Sequence, residues 1–192
     1  METASIVNEI LLNRYLYKNA TTEEEKIFYL SKEIGNYFSS VFKQTMYTEF
    51  ENYLYKIRTN SELTSEILCE RYYNILKKYY GNNISYDQIA NVEWTRLGHL
   101  YRWSYYPYKY ATGLLMASIV VDSLVNKKSL SKEDYIKFLS SRSSQYSLDL
   151  LKILNIDLLN SNIIESGFNV MAEDIKELQK GLSLCKKNLI KK

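Results

Sequence analysis

Thr22-Glu-Glu-Glu25, followed by Ile27, Leu30, Ile34, Phe38, Val41, Thr45, Met46, Phe50, Tyr53 and Ile57, is the stretch that decides the fold. Thr-x-x-Glu is a capping box, in which the two side chains satisfy the free N–H groups at a helix start. The apolar positions then recur every three or four residues, the period of an amphipathic helix. A helix this long lies across several neighbours, so a large helical domain is expected.

Working outward, the same periodicity recurs on both sides. Ile6, Val7, Ile10, Leu11 and Leu16 form a helical stripe from Ala4 to Leu16, broken by Asn19-Ala20-Thr21. Downstream, Arg58-Thr59-Asn60 is a turn, and Thr64 caps a third helix to about Tyr80, ended by Gly81-Asn82-Asn83. A helix is expected around Asp87 to Leu97. The run from Ala111 to Val125 is apolar nearly all round and reads as a buried helix. Ser131 to Asp134 is another cap, opening a short helix to about Leu139. A last amphipathic helix carries Ile163, Ile164, Phe168, Met171, Ile175 and Leu178. The basic end, residues 183–192, is expected to fray. The reading is all-α, with residues 1–192 as a single helical segment lacking repeats or linkers.

Composition agrees: 6 glycines and 1 proline in 192 residues disfavour a turn-rich β architecture. The net charge of +3, with both signs dispersed, gives no reason to expect nucleic-acid binding. The apolar run at 111–121 is well short of the ~18 residues that span a bilayer, so no membrane is expected. No secretory leader is expected from the opening residues, since Glu2 and Asn8 interrupt any apolar run. Cys69 and Cys185, far apart and without metal-ligand spacing, read as reduced thiols of a cytoplasmic protein.

Chemistry concentrates in His99-Leu-Tyr-Arg-Trp-Ser-Tyr-Tyr-Pro-Tyr-Lys-Tyr-Ala-Thr-Gly113. It holds the only histidine, the only proline and five of the 19 tyrosines. Imidazole and phenol both donate hydrogen bonds, and each buried hydroxyl needs a partner, so this segment reads as a site. Gly98 and Pro107 mark it as irregular chain.

Several segments together resemble a known family. Trp-x-Arg at 94–96, His-x-Tyr at 99–101 and Tyr-x-Tyr-Ala-Thr-Gly at 108–113 are similar to the C-terminal part of the oligoendopeptidase F branch of the thimet-oligopeptidase family of zinc peptidases. Phe42-Lys-Gln-Thr-Met-Tyr-Thr-Glu-Phe-Glu51 resembles that branch's Arg-Gln-Thr-Met-Phe-x-Glu-Phe-Glu block. Tyr79-Tyr80-Gly81, Tyr135-Ile-Lys-Phe-Leu139, Ser144-x-Tyr146 and Leu150-Leu151 follow in the same order. The likeness covers residues 2 to about 182. It implies the multi-helix C-terminal part of a zincin-type helical oligopeptidase catalytic domain, acting on short peptides.

The resemblance also implies roles. Glu2-Thr-Ala-Ser-Ile-Val-Asn-Glu9 looks like the helix that follows the family's His-Glu-x-x-His helix, so Glu2 corresponds to the third zinc ligand. Glu9, two turns on and on the same face, corresponds to a partner behind it. A catalytic zinc wants three protein ligands and an open position, with a supporting layer that orients them. His99, Tyr106, Tyr108 and Tyr110 correspond to the donors that stabilise the tetrahedral intermediate. Tyr101 and Tyr105 fit packing or peptide contacts. The expectation is that Glu2 and the phenols line one groove.

One departure limits the activity expected. No His-Glu-x-x-His occurs in the sequence, so two nitrogen ligands and the general base are missing. The chain is expected to be inactive alone, not to hold zinc by itself, and to be the C-terminal portion of a larger peptidase. Its expected partners are peptide substrates and the missing N-terminal part, or a second copy through exposed apolar faces such as that of residues 6–16. The alternative is a non-catalytic helical remnant or peptide-binding module.

Overall fold

The computed structural model describes residues 2–58, 62–126 and 129–190. In chain order the elements are α1 Thr3–Lys18, α2 Glu23–Tyr37, a π-helical turn Phe38–Phe42, α3 Lys43–Ile57 and α4 Ser65–Tyr80. A 3-10 helix Gln88–Arg96 follows, then α5 Gly98–Arg102, α6 Tyr108–Val125, α7 Lys132–Ser141, α8 Ser147–Lys152 and α9 Ser161–Ile190. No strand occurs among the described residues, as the sequence predicts.

The capping signals form as expected. Thr22 and Glu25 close a reciprocal box at α2, as do Ser131 and Asp134 at α7. Thr64 accepts the Ile67 N–H at the start of α4, and Gly81, at φ +79°, ends it. Of the expected turn at Arg58-Thr59-Asn60, Thr59 and Asn60 lie outside the described residues.

The chain divides into two compact units, Met1–Phe38 with Thr112–Lys192, and Ser39–Ala111. In the first, α2 packs on both α1 and α9, and α7 packs on α8. Val7 and Ile10 of α1, Leu30 of α2, and Leu114, Met116, Ala117 and Val120 of α6 are buried. Gly167 of α9 meets the side chain and backbone of Leu115, where a Cβ would sit only 3.0 Å from Leu115 Cδ2. The helices could not approach so closely with a larger residue there.

The second unit is built on α3 and α4. Met46, Tyr47 and Phe50 interlock with Leu68, Tyr72, Ile75 and Leu76, and Phe50 meets Tyr72 edge to face at 5.1 Å. Such an aromatic pair contributes about 0.5–1.5 kcal/mol beyond its buried area. Trp94, Leu97 and Leu100 cover one side of this core, and so tie the chain around His99 to it.

Several expectations are corrected. The long helix is interrupted by the π turn, which adds a residue and moves the buried positions from Val41 to Met46, a step of five. The helix expected after Asp87 forms over Gln88–Arg96, in 3-10 form, with the Asp87 carboxylate accepting the Ile89 N–H. The segment at 98–107 contains the short α5, and α8 had no counterpart in the pattern. The last helix, α9, begins at Ser161, just before the Ile163 of the expected pattern. The apolar face of α1 is not exposed as a whole. Val7 and Ile10 are buried, and the next buried position is Asn13, while Leu12, Tyr15 and Leu16 face outward.

Candidate active site

Within the second unit, His99 sits on α5, and Tyr106 follows a bend that opens with Trp103 and Ser104. The Tyr106 ring stacks on the His99 imidazole at 5.2 Å and 3°. Tyr110, on the first turn of α6, meets His99 edge-on at 5.8 Å and Tyr106 at 5.5 Å. Trp103 closes the group at 6.0 Å from His99, and the Lys109 ammonium lies 4.6 Å from the Tyr106 ring centre. Three of the four residues singled out as oxyanion donors thus share one cluster, with one stacked pair and two edge-to-face pairs. Tyr108, the fourth, is on the same first turn and 45% exposed.

The bend is held from beneath. Tyr105 adopts φ +54°, the left-handed region. Its N–H donates to Glu51 Oε1 at 2.6 Å, its ring stacks on Tyr55 at 5.1 Å, and the Tyr55 hydroxyl bonds Ser104 Oγ at 2.5 Å. Glu51 is only 1% exposed. Burial raises its carboxyl above the ordinary glutamate value, opposed by the Tyr105 amide and by attraction to His99. Pro107 is fully buried beside the bend. The packing role expected for Tyr105 is therefore specific: it joins the loop to α3.

A second acid steadies the same unit. Glu93, from the 3-10 helix, accepts Lys43 Nζ at 2.9 Å, Tyr47 Oη at 3.3 Å and Tyr72 Oη at 3.1 Å. Burial opposes its charge, yet the bonds from Lys43, Tyr72 and Tyr47 outweigh it and hold the carboxyl below its ordinary value. Neither Glu51 nor Glu93 was singled out in the sequence. Glu51 sits one helical turn beyond Tyr47 on the buried face of α3.

Glu2 and Glu9 belong to the first unit. Glu2 is half-buried at the N-cap of α1, where its carbonyl accepts the Ile6 N–H and the Ser5 hydroxyl. Glu9, exposed one face-repeat later, accepts Asn36 Nδ2 at 3.2 Å. Gly113, the last residue of the Tyr-x-Tyr-Ala-Thr-Gly run, packs against this end of α1. A Cβ there would lie 3.2 Å from Glu2 Cβ, 3.4 Å from Ile6 Cδ1 and 3.6 Å from the Thr3 nitrogen. The motif glycine therefore leaves room for the start of α1 close to α6. Deeper in the unit, Arg14 Nη2 lies 2.6 Å from both Asp174 oxygens and 2.8 Å from Glu33 Oε1.

Among the described residues, no group of three or more His, Cys, Asp or Glu side chains could hold a metal ion. Glu2 offers one carboxylate, and a catalytic zinc site takes three protein ligands. The described residues therefore do not compose a zinc site by themselves.

Residues 1–170 match peptidase family M3, and the chain belongs to that family. It is 34% identical over 188 residues to oligopeptidase PepF of Bacillus subtilis, covering 97% of this chain and 28% of that protein. It is 37% identical over 181 residues to an oligoendopeptidase F homolog of Borreliella burgdorferi, covering 93% of this chain and 30% of that one. The crystal structure of oligoendopeptidase-F from Enterococcus faecium aligns with a TM-score of 0.82 at 27% identity, over 93% of this chain and 35% of that chain. The chain thus spans 28% and 30% of the length of these two curated relatives. No helix of the described residues is long and apolar enough to cross a membrane.

Proposed function

We propose that the chain is the C-terminal part of the catalytic domain of a zinc oligoendopeptidase that cleaves short peptides in the cytoplasm. Glu2 supplies one oxygen ligand to zinc, whose other ligands come from a His-Glu-x-x-His segment outside these 192 residues. Glu9 stands behind Glu2, and His99, Tyr106, Tyr108 and Tyr110 donate hydrogen bonds to the oxygen on which charge develops. Zinc bound in such a site polarises a carbonyl and activates water.

The observation that carries this reading is the packed His99–Tyr106–Tyr110 cluster in a chain of the M3 family. Ring packing fixes donor directions before substrate arrives, and preorganised donors at a developing oxyanion lower the barrier by about 2.7–4 kcal/mol each. By themselves the 192 residues cleave nothing, because the general base is absent from the sequence.

The test adds the N-terminal part of a related oligoendopeptidase, bearing His-Glu-x-x-His, to the purified chain with zinc. Cleavage of quenched-fluorescent short peptides should appear only in the mixture and disappear with Glu2→Gln. A folded, zinc-loaded complex that cleaves nothing would contradict the proposal.

A further inference from the structure

We propose that Glu51 is the positioning residue of the histidine–tyrosine segment: its buried carboxylate grips the backbone N–H of Tyr105 and so fixes the bend between His99 and Tyr106. The proposal rests on the peptidase reading for its catalytic consequence and on geometry for the rest.

Three observations converge. Tyr105 holds a left-handed backbone conformation without being glycine, a strain that surrounding structure must impose. The bond from its N–H to Glu51 is 2.6 Å, the short range of a charge-assisted hydrogen bond, roughly twice as strong as a neutral one. The carboxylate is 1% exposed, and its second oxygen, Oε2, is buried with no hydrogen-bond donor among the described residues.

A fold does not bury a half-satisfied carboxylate for stability alone, since the desolvation cost is large unless charge or hydrogen bonds compensate it. Burial works against the Glu51 charge, and the Tyr105 N–H together with attraction to His99 works for it. One acid therefore binds the loop backbone and attracts the ring that Tyr106 stacks on. Glu51 lies on α3, within the Phe42–Glu51 block, and reaches the segment across 54 positions of sequence. It does not touch substrate in this account; it acts through Tyr105 and His99.

The experiment uses the full chain with Glu51→Gln and Glu51→Ala. Gln keeps an acceptor of the same reach without the charge, so the fold is retained. By nuclear magnetic resonance, the Tyr105 amide proton should move upfield in E51Q and exchange at least about tenfold faster in E51A. The His99 ring resonances, assignable because the chain has 1 histidine, should shift in E51Q. In the zinc-loaded complex with the N-terminal part, E51Q should lower kcat about tenfold or more with KM within about twofold. Unchanged Tyr105 and His99 resonances in E51Q would overturn the proposal, whether or not E51A folds. So would a wild-type kcat for E51Q in an active complex. If the wild-type complex is itself inactive, the peptidase reading fails, and the resonances still decide the role of Glu51.

Discussion

Replacing Glu93 with alanine deprives three donors of their shared acceptor at once. The losses are unequal. The Lys43 side chain is 31% exposed and can turn to water, whereas Tyr47 and Tyr72 are 6% and 0% exposed and cannot. A buried hydroxyl left without a partner costs about 1–3 kcal/mol. Two of them, one only weakly bonded at 3.3 Å, put the expected loss for Glu93→Ala at about 2–5 kcal/mol. Tyr72→Phe removes the most buried donor but leaves Glu93 two partners, so about 1 kcal/mol is expected. In the Tyr72→Phe background Glu93→Ala orphans one hydroxyl fewer, giving a coupling of about 1–2 kcal/mol. Urea unfolding of the four proteins, followed by far-ultraviolet circular dichroism, measures the cycle. Additivity within about 0.5 kcal/mol would refute the shared-acceptor account. The pH dependence is a second check. Glu93 is held below its ordinary value, so its contribution is full at neutral pH and fades as pH falls through its folded value. The gap between wild type and Glu93→Gln should therefore close under acid conditions, below about pH 4.

Three further predictions follow from other parts of the structure. Glu33 is shifted the opposite way: burial raises its carboxyl despite Arg14, so it favours the folded state more as pH falls from neutral toward the ordinary glutamate value. Glu33→Gln should then be relatively more destabilising at pH 5 than at pH 7, about the ordinary and neutral ends of that range, and the reverse trend in unfolding midpoints would contradict this. Gly113→Ala places a methyl 3.2 Å from Glu2 Cβ and must displace the start of α1 by a few tenths of an ångström. It should change stability by less than about 1 kcal/mol but lower zinc-dependent activity of the completed enzyme about tenfold, measured by peptide cleavage. Tyr106→Phe should cost roughly 10²–10³ in kcat with a smaller change in KM if the phenol donates in the transition state. A change confined to KM would assign it to substrate binding instead.

Local signals in the sequence were reliable where a single side chain decides the outcome. Thr22, Thr64 and Ser131 each cap the helix that follows, and Gly81 ends α4 in the positive-φ conformation expected of it. The π turn was hidden because Phe38 and Val41 continue an apolar pattern whose phase slips only at the next step, Val41 to Met46. The helix after Asp87 was legible but its 3-10 form was not, because Ile89 and Val92, spaced by three, satisfy either period. The division at Phe38 and Ala111 leaves no compositional mark, since helices run through both boundaries. On α1, Asn13 and Arg14 replace apolar residues on the inner face because their partners, Glu33 and Asp174, lie 20 and 160 positions away. Such pairing cannot be read from a periodicity. In the candidate site, the residue types at 99–110 were legible. The acids beneath them were not, because an acidic residue on a helix is ordinarily solvated, and only the packing of Met46, Tyr47 and Phe50 shows Glu51 to be enclosed.

The claim on which the functional account turns is that the Glu2 carboxylate binds zinc. An X-ray structure of the chain complexed with the His-Glu-x-x-His part of an oligoendopeptidase, with anomalous data at the zinc edge, tests it directly. A Glu2 oxygen at about 2.0–2.2 Å from the metal is the predicted result. Zinc fully coordinated without Glu2, in a complex that cleaves peptides, would contradict it.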